Sequence, residues 1–475
     1  MTSLMIAWLT VAGLTESTTL PAFCQEINGT QPILERCTDD DIRWRDSTRT
    51  IEVKGDVECT LSEIAADVPD SVLSPVEGER NTWYLKARLV MLEGARLKLY
   101  GMDAGGDVDE LRLHSNSGEH IYIRAEWGSI DIRNTRILSW DEGLGGPDTN
   151  HEDGRAFIGV RSFLEDDEPR TSRMDIRDSE IGYLGFYDGE SYGLAWRVMG
   201  TGDSGTNSPV FDQVEVHGVV HNSKIHHNYM GSYSWGASCM EWVNNDVGDN
   251  VVYGIDPHDN SDHLLISGNR VHHNGTHGII CSKNCDHLII RNNVSSHNGR
   301  HGIMLHWEVT DSVLYNNRTF DNGGSGIAIF TAHNNLIKNN DVYRNNDGIH
   351  IYMDSHGNLL EGNVVHHQRR YGIWFTEGAY GNTATDNTLF DNVKLGLTSG
   401  VDENQTITDN SFDPIAGHDH LPGTDEMPPV DEEPPTRVYR TWSPDDPRWL
   451  IDQYSATPVV RPLTPQVRPY SKAVR

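Results

Sequence analysis

The sequence is short of cysteine, of long apolar runs and of positive charge, and each shortage narrows what the chain can be. Six cysteines in 475 residues cannot form the disulfide framework that holds together a small secreted scaffold. Cys24, Cys37 and Cys59 precede the regular part of the chain and can supply one bridge in an oxidising compartment, whereas Cys239, Cys281 and Cys285 show no zinc-ligand spacing. The only apolar run near the start, Leu4 to Leu14, leads through small and polar residues to Cys24. It is too short to span a bilayer and suits the core of a leader, although no basic residues precede it. A signal peptide over residues 1–25 is therefore expected, with the protein secreted to the periplasm or the exterior. No later segment has the length of a transmembrane helix. Lys and Arg number 38 against 70 Asp and Glu, a formal net charge of -32, which argues against nucleic acid as a partner. The same charge disfavours a polyanionic sugar, so such a partner requires a local basic patch.

Hydrophobic residues make up only 36% of the chain while Gly reaches 45, a balance that fits many short strands joined by tight polar turns. The periodicity agrees. Gly recurs at 254, 278, 302, 326, 348, 372 and 396, mostly followed by Ile, in steps of 24 residues with one of 22. An amide residue stands a few positions ahead of each: Asn228, Asn250, Asn274, Asn298, Asn322, Asn345, Gln368 and Asn392. Leucine-rich and helical repeats have similar periods but need Leu consensus positions or amphipathic helices that are absent here.

Stacking the repeats separates the two faces of each strand. Ile255, Ile279, Ile303, Ile327, Ile349, Ile373 and Leu397 form one inward column, and Pro257, Cys281, Leu305, Ile329, Ile351 and Phe375 the next. The expected fold is all-β, a right-handed parallel β-helix whose coils stack at about 4.8 Å, with Asn at the turns suited to left-handed backbone and to side-chain hydrogen bonds between coils. The expected organisation is an N-terminal cap and irregular β region over 26–120, the parallel β-helix over 121–413, and an acidic, Pro-rich linker and tail over 414–475 carrying Trp442, Trp449 and Tyr454. Upstream strand-like runs are Ser129 to Arg136, Arg173 to Glu180 and Val214 to Lys224. The His pairs 226–227, 272–273 and 366–367 read as solvated turn residues and not as metal ligands.

The outward columns carry the chemistry: Ser238, Asp256, Ile280, Met304, Ala328, His350 and Trp374 beside Met240, His258, Ser282, His306, Phe330, Tyr352 and Thr376. Ionisable groups mixed with aromatics along a groove suit a polysaccharide, with rings covering sugar faces and polar groups reading hydroxyls. At one end stands Tyr253-Gly254-Ile255-Asp256-Pro257-His258-Asp259. This run closely resembles the active-site strand of the mannuronan C5-epimerases. Gly182-Tyr183-Leu184-Gly185, Ser191-Tyr192-Gly193 and Trp235-Gly236 with Cys239 and Glu241 resemble the preceding coils of the bacterial alginate-biosynthetic enzymes, and the likeness covers approximately residues 150 to 400. His277-Gly278-Ile279-Ile280-Cys281-Ser282-Lys283 is similar to a stretch that in that family ends in Ser-Arg, the Arg neutralising the substrate carboxylate. Lys283 keeps the charge but loses the bidentate fork, and stands one residue nearer the catalytic His than the family spacing.

The resemblance implies epimerisation of mannuronate to guluronate within an alginate chain. Removing the weakly acidic C5 proton develops enolate-like charge that a cation must stabilise, and reprotonation follows from the opposite face. His258 is the expected proton-transfer group on one side, with Tyr253 or a water on the other; Asp256 either holds the imidazole or, protonated, touches the carboxylate; Lys283 neutralises it, with Arg300 a second candidate. His277, His301, His306, Asp259 and Ser282 are candidate substrate contacts, with His277 and His301 equally open to a stacking role. No metal site and no cofactor is expected, a calcium requirement being undetermined, and the partner is an acidic polysaccharide bound by a monomer. A polyuronate lyase and a non-catalytic carbohydrate-binding β-helix remain open alternatives. A hydrolase would need paired carboxylates where the columns offer one strong Asp.

Overall fold

In the computed structural model the described residues are 19–412 apart from 30, 190, 377 and 400–403. The chain divides into two units, Met1–Ile415 and Ala416–Arg475. The linker and tail expected over 414–475 lie outside the described residues, as do residues 1–18 of the expected leader.

One turn of the repeat consists of the strands Ile255–His258, Leu265–Ser267 and Arg270–His272, after which Ile279–Ser282 returns in parallel register against Ile255–His258. Repetition builds a right-handed parallel β-helix of three sheets, with 14, 15 and 15 strands among the described residues. The sheet containing Ile255–His258 is called the groove sheet below. Its inward columns stack as the repeat pattern predicts, Ile255 on Ile279, Ile303, Ile327, Ile349, Ile373 and Leu397. All but the terminal Leu397 are fully buried.

The recurrent glycine has a packing cause. A β-carbon on Gly254 would stand 2.5 Å from the carbonyl oxygen of Gly278 and 2.9 Å from Nδ2 of Asn274, so close approach, not backbone freedom, excludes any side chain. The asparagines form the predicted ladder. Backbone N–H groups donate to the next coil's side-chain oxygen in an unbroken line from Asn228 through Asn250, Asn274, Asn298, Asn322, Asn345 and Gln368 to Asn392. Left-handed backbone was expected at these residues, but it falls on the residue before each, as at His273, His297, Asp321 and Arg344; the αL turn aims the following amide side chain into the stack. Two more ladders stand at the other corners: Asn245 to Asn410 by way of Asn269, Asn293, Asn317, Asn340, Asn363 and Asn387, and Ser312 to Gln405 by way of Asn335, Asn358 and Asn382.

The coils begin at Thr50 instead of near Ile121. Thr50–Lys54, Arg88–Leu92, Tyr122–Glu126 and Phe157–Glu165 already pair in parallel in the groove sheet. The capping elements are the antiparallel strand Ile42–Arg45 and the short helix Leu61–Ala66, whose Leu61 and Ile64 are fully buried. Each of the three expected upstream runs covers one strand, turns a corner and reaches the start of the next, for example Ser129–Arg133 and Arg136–Asp141.

An N-terminal strap lies over the second sheet. The helix Ala22–Ile27 places Cys24 in a disulfide with Cys239 and packs Leu20 and Ile27 toward Leu265 and Ile289. Asn28 Nδ2 donates to the Cys239 carbonyl at 2.6 Å and to Glu241 at 3.0 Å. A leader ending at residue 25, as expected from the sequence, would remove Cys24, which is bonded here to Cys239. Cys37–Cys59 is the bridge anticipated near the cap, while Cys281 and Cys285 are free and buried. The His pairs also differ from expectation: His226 and His366 are buried, the latter stacked between Tyr343 at 5.2 Å and Phe390 at 4.7 Å; Ile225 and Val365 take the inward place, and the His after each is covered by its neighbours on the outward face, with an αL residue following. No helix among the described residues is long and apolar enough to cross a membrane.

Candidate active site

Asp256 and His258 project from the groove face of Ile255–His258, and the strand ends where Asp259 and Asn260 both take positive φ. That double left-handed corner turns the Asp259 side chain back onto its neighbour, so that Asp259 Oδ2 contacts His258 Nδ1. Asp259 is fully buried. The next coil repeats the corner with Lys283 and Asn284, also at positive φ, and Asp259 N–H donates to the Ser282 carbonyl at 2.8 Å. Lys283 is thereby stacked one coil beyond Asp259, half-exposed, with its charge acting on both Asp256 and His258.

Burial sets the protonation states. The Asp256 carboxyl, 1% exposed, is raised well above the usual range by desolvation and by the Asp259 carboxylate, with Lys283 opposing. Its Oδ1 is buried without a hydrogen-bond partner among the described residues. Burial lowers the His258 imidazole below 6.5, outweighing Asp259, which acts the other way. Burial thus favours the protonated form of the Asp256 carboxyl and the neutral form of the His258 imidazole, whose Nδ1 faces the Asp259 carboxylate.

The remaining candidates divide by position. Ser282 shares a 2.7 Å hydrogen bond with His306 Nδ1, one coil on. His306 is pushed down to about 3 by burial, His258, Lys283 and Arg300. Tyr253, buried, stacks on His277 with ring centres 5.4 Å apart, and His277 stacks on His301 at 5.0 Å. The Nδ1 atoms of His277 and His301 accept backbone N–H bonds from His301 and Ser325, so these two rings are a structural column along the edge of the groove opposite His258. Arg300 is half-buried beside them, its charge lowering His277, His301 and His306.

One register assignment is overturned. The coil before His258 contributes Tyr233 opposite Asp256 and Trp235 opposite His258, not Ser238 and Met240; Met240 is buried in the core. Gly231, whose N–H donates to the Tyr253 carbonyl, is the repeat glycine of that coil, whereas Gly236 lies at its corner against Phe211. The correct register exposes residues that sequence reasoning missed. Trp235 stacks on His258, ring centres 5.9 Å apart and planes 11° from parallel. Arg197 lies 4.9 Å over the Trp235 ring, and the same column continues upstream to Arg161. Continuing the alternation of Gly193–Val198 into the repeats was the signal that could have found Arg197. Arg197 and Lys283 thus flank the Trp235–His258 stack, and Arg161, one coil further upstream, is paired with Glu126 at 3.1 Å.

Among the described residues no cluster of three or more His, Cys, Asp or Glu is arranged to hold a metal ion.

Comparison with known proteins bears on this geometry. A family model described as the right handed beta helix region matches residues 203–318 and 261–412. The mannuronan C5-epimerase of Pseudomonas aeruginosa is 29% identical over 233 residues, 48% of this chain and 38% of the relative. The mannuronan C5-epimerase AlgG of Azotobacter vinelandii is 28% identical over 218 residues, 45% of this chain and 37% of the relative. The chain thus spans well under half the length of these curated relatives. The crystal structure of the periplasmic alginate epimerase AlgG superposes with a TM-score of 0.67 at 22% identity, covering 76% of this chain and 85% of that one.

Proposed function

We propose that this chain is an isomerase that inverts C5 of β-D-mannuronate residues within alginate, giving α-L-guluronate in the polymer. The observation that carries the reading is the constellation on two adjacent coils: His258 backed by Asp259, the buried Asp256 carboxyl with its pKa raised, and Lys283 stacked over the same corner. The relatives that share this part of the chain are named for that activity.

His258 Nε2 takes the C5 proton, and the electron pair of the C–H bond moves into the adjacent carboxylate. Lys283 balances the charge that develops there, and Asp256 donates its proton as a hydrogen bond to a carboxylate oxygen. Asp259 accepts from His258 Nδ1, keeps Nε2 free to receive the proton, and stabilises the imidazolium that results. The role of holding the imidazole thus belongs to Asp259, not Asp256. The second proton comes from the other end of the strand. Five residue steps from Tyr253 to His258 correspond to about 16 Å between Cα atoms, which leaves room for a pyranose between the two side chains. Tyr253 O–H then protonates C5 on the face opposite His258, and water returns the proton from His258 to Tyr253.

Proton NMR of polymannuronate treated with the protein tests the proposal: new guluronate anomeric signals, with deuterium from solvent entering at C5, are expected. Unsaturated termini absorbing in the ultraviolet would mark a lyase instead, and an unchanged polymer would mark a binding protein.

The two disulfides support an oxidising compartment, periplasmic or extracellular, as the working location. Thiol alkylation of the protein taken from its native host should label Cys281 and Cys285 alone after denaturation.

A further inference from the structure

Downstream of His258 the groove changes character. The column that begins at Asp256 continues through Ile280, Met304, Ala328 and His350 to Trp374. Its five steps carry the groove about 24 Å along the solenoid axis at the usual interstrand spacing. Here aromatic rings replace the upstream cations. His306 stacks on Phe330 at 5.0 Å, His350 on Tyr352 at 4.2 Å and on Trp374 at 4.4 Å, and Trp374 meets Tyr371 at 4.5 Å. Burial pushes His350 down to about 3, so it serves as an uncharged backing for the indole, fixed by a 2.9 Å bond between Nε2 and Thr376.

The end of this track is built differently from its middle. Phe330 and Tyr352 are buried, but Trp374 and Tyr371 are half-exposed. Two cations stand over them: the Arg370 guanidinium lies 5.1 Å from the Trp374 ring and the Lys394 ammonium 5.1 Å from the Tyr371 ring. Arg370 is oriented by a two-pronged pairing with Asp347, itself buried, so its position is fixed before any ligand arrives. Half-exposed rings with guanidinium and ammonium groups beside them match a sugar that has an apolar C–H face and a carboxylate. Asp347 balances the Arg370 charge, and the exposed Lys394 adds a cation at the same place on a protein of net charge -32.

We propose that Trp374, Tyr371, Arg370 and Lys394 form a remote subsite for a non-reacting uronate residue of the same polymer chain whose reacting residue lies at His258. The inference rests on the polyuronate reading above. An extended hexose polymer advances by a distance similar to the coil spacing, so a chain laid along the column reaches from one site to the other with an intervening sugar roughly at each coil. The subsite holds the polymer in register and favours long substrates over short ones.

The test compares defined oligomannuronates with polymannuronate, using C5 deuterium exchange for rate and isothermal titration for binding. With the unaltered protein, kcat/KM should climb with oligomer length until the substrate spans both sites, then level off. Trp374→Ala should reduce the advantage of polymer over short oligomers about tenfold, mainly through KM, consistent with loss of one stacking contact. Lys394→Gln, an exposed change that leaves the rings in place, should give a smaller loss that added salt also produces in the unaltered protein. An unaltered length profile in Trp374→Ala, with native circular dichroism, overturns the subsite. If the protein turns over no polymannuronate at all, the epimerase reading fails by itself. Titration then decides the subsite separately: weaker polymannuronate binding by Trp374→Ala supports it, and equal binding refutes it.

Discussion

His258 can act as a base only while it is neutral, and its surroundings extend the pH range over which that holds. Burial places its pKa below the ordinary 6.5 in spite of the adjacent carboxylate, so the form that accepts a proton persists as pH falls through 6.5. The acid limb of kcat/KM should therefore have its midpoint below 6.5, and a midpoint above that value would remove His258 from the role of base. Lys283 is the cation proposed to balance the charge that develops as C5 is deprotonated. Because its charge matters most once C5 is deprotonated, Lys283→Ala should lower kcat by roughly a hundredfold or more with a smaller change in KM, while Lys283→Arg retains most of the activity. If Lys283→Ala is nearly silent and Arg300→Ala loses kcat instead, the neutralising cation is on the following coil. That Asp256 and His258 share the outward face, one coil before Ser282 and Lys283, was legible because the repeat fixes the register of adjacent coils. Asp259's hold on the imidazole was not, since it arises from a corner with two positive-φ residues that no composition rule marks.

Within each coil, function and stability are divided between the two faces of one strand. His258→Ala should abolish turnover and leave far-ultraviolet circular dichroism unchanged, whereas Ile279→Asp places a carboxylate in a fully buried column and should cost several kcal/mol. Equal loss of structure in both would contradict the assignment of faces. The ladders are equally exposed to test. Asn298 accepts from the backbone N–H of Asn274 at 3.1 Å and from its Nδ2 at 2.9 Å, and donates to Asn322 at 3.0 Å. Asn298→Ala strands these buried groups and should destabilise by about 2–4 kcal/mol in urea unfolding. A loss under about 0.5 kcal/mol would show that water replaces the ladder. The repeats from Gly254 onward were readable because Gly and Asn are demanded by geometry at fixed intervals. The earlier coils were not, because there the ladder is continued by Ser223 and Ser179, whose hydroxyls accept the same backbone N–H bond without leaving a period in the sequence, and it ends at Thr135, whose hydroxyl donates to the carbonyls of Leu99 and Val108. The misplaced pair Ser238 and Met240 has a related origin: two glycines, Gly231 and Gly236, compete in one coil, and only the pairing of Ser232 with Ile255 decides between them.

Taken as a whole, the molecule holds an unusual number of neutral imidazoles. His277 and His301 are held well below their ordinary pKa by burial, and His306 and His350 are pushed down to about 3. The unfolded chain binds protons at these sites sooner than the folded one, so stability gained from them is complete above pH 6.5 and declines as pH falls below it, each group contributing up to about 1.4 kcal/mol per pH unit. Asp256 and Asp262, whose buried carboxyls are raised, work in the opposite sense and favour the folded state on acidification, but the lowered imidazoles, His258 included, outnumber them. The melting temperature should thus fall steadily from pH 6.5 to 4.5. A melting temperature that is constant over this interval would mean that the groove histidines are hydrated and charged in the folded protein.

The strap adds an ordering in time to this architecture. Cys24 and Cys239 are 215 residues apart, and the strap's contacts fall on coils containing Cys239, Leu265 and Ile289. A chain emerging from a ribosome or a translocation channel presents Cys24 long before the surface that will receive it exists. For that interval the thiol must wait, while Cys37 and Cys59, only 22 residues apart, close close at hand and remove the nearest wrong partners. The segment carrying Cys24 is thus synthesised well before the coils that hold it, a clasp that shuts only on coils already wound.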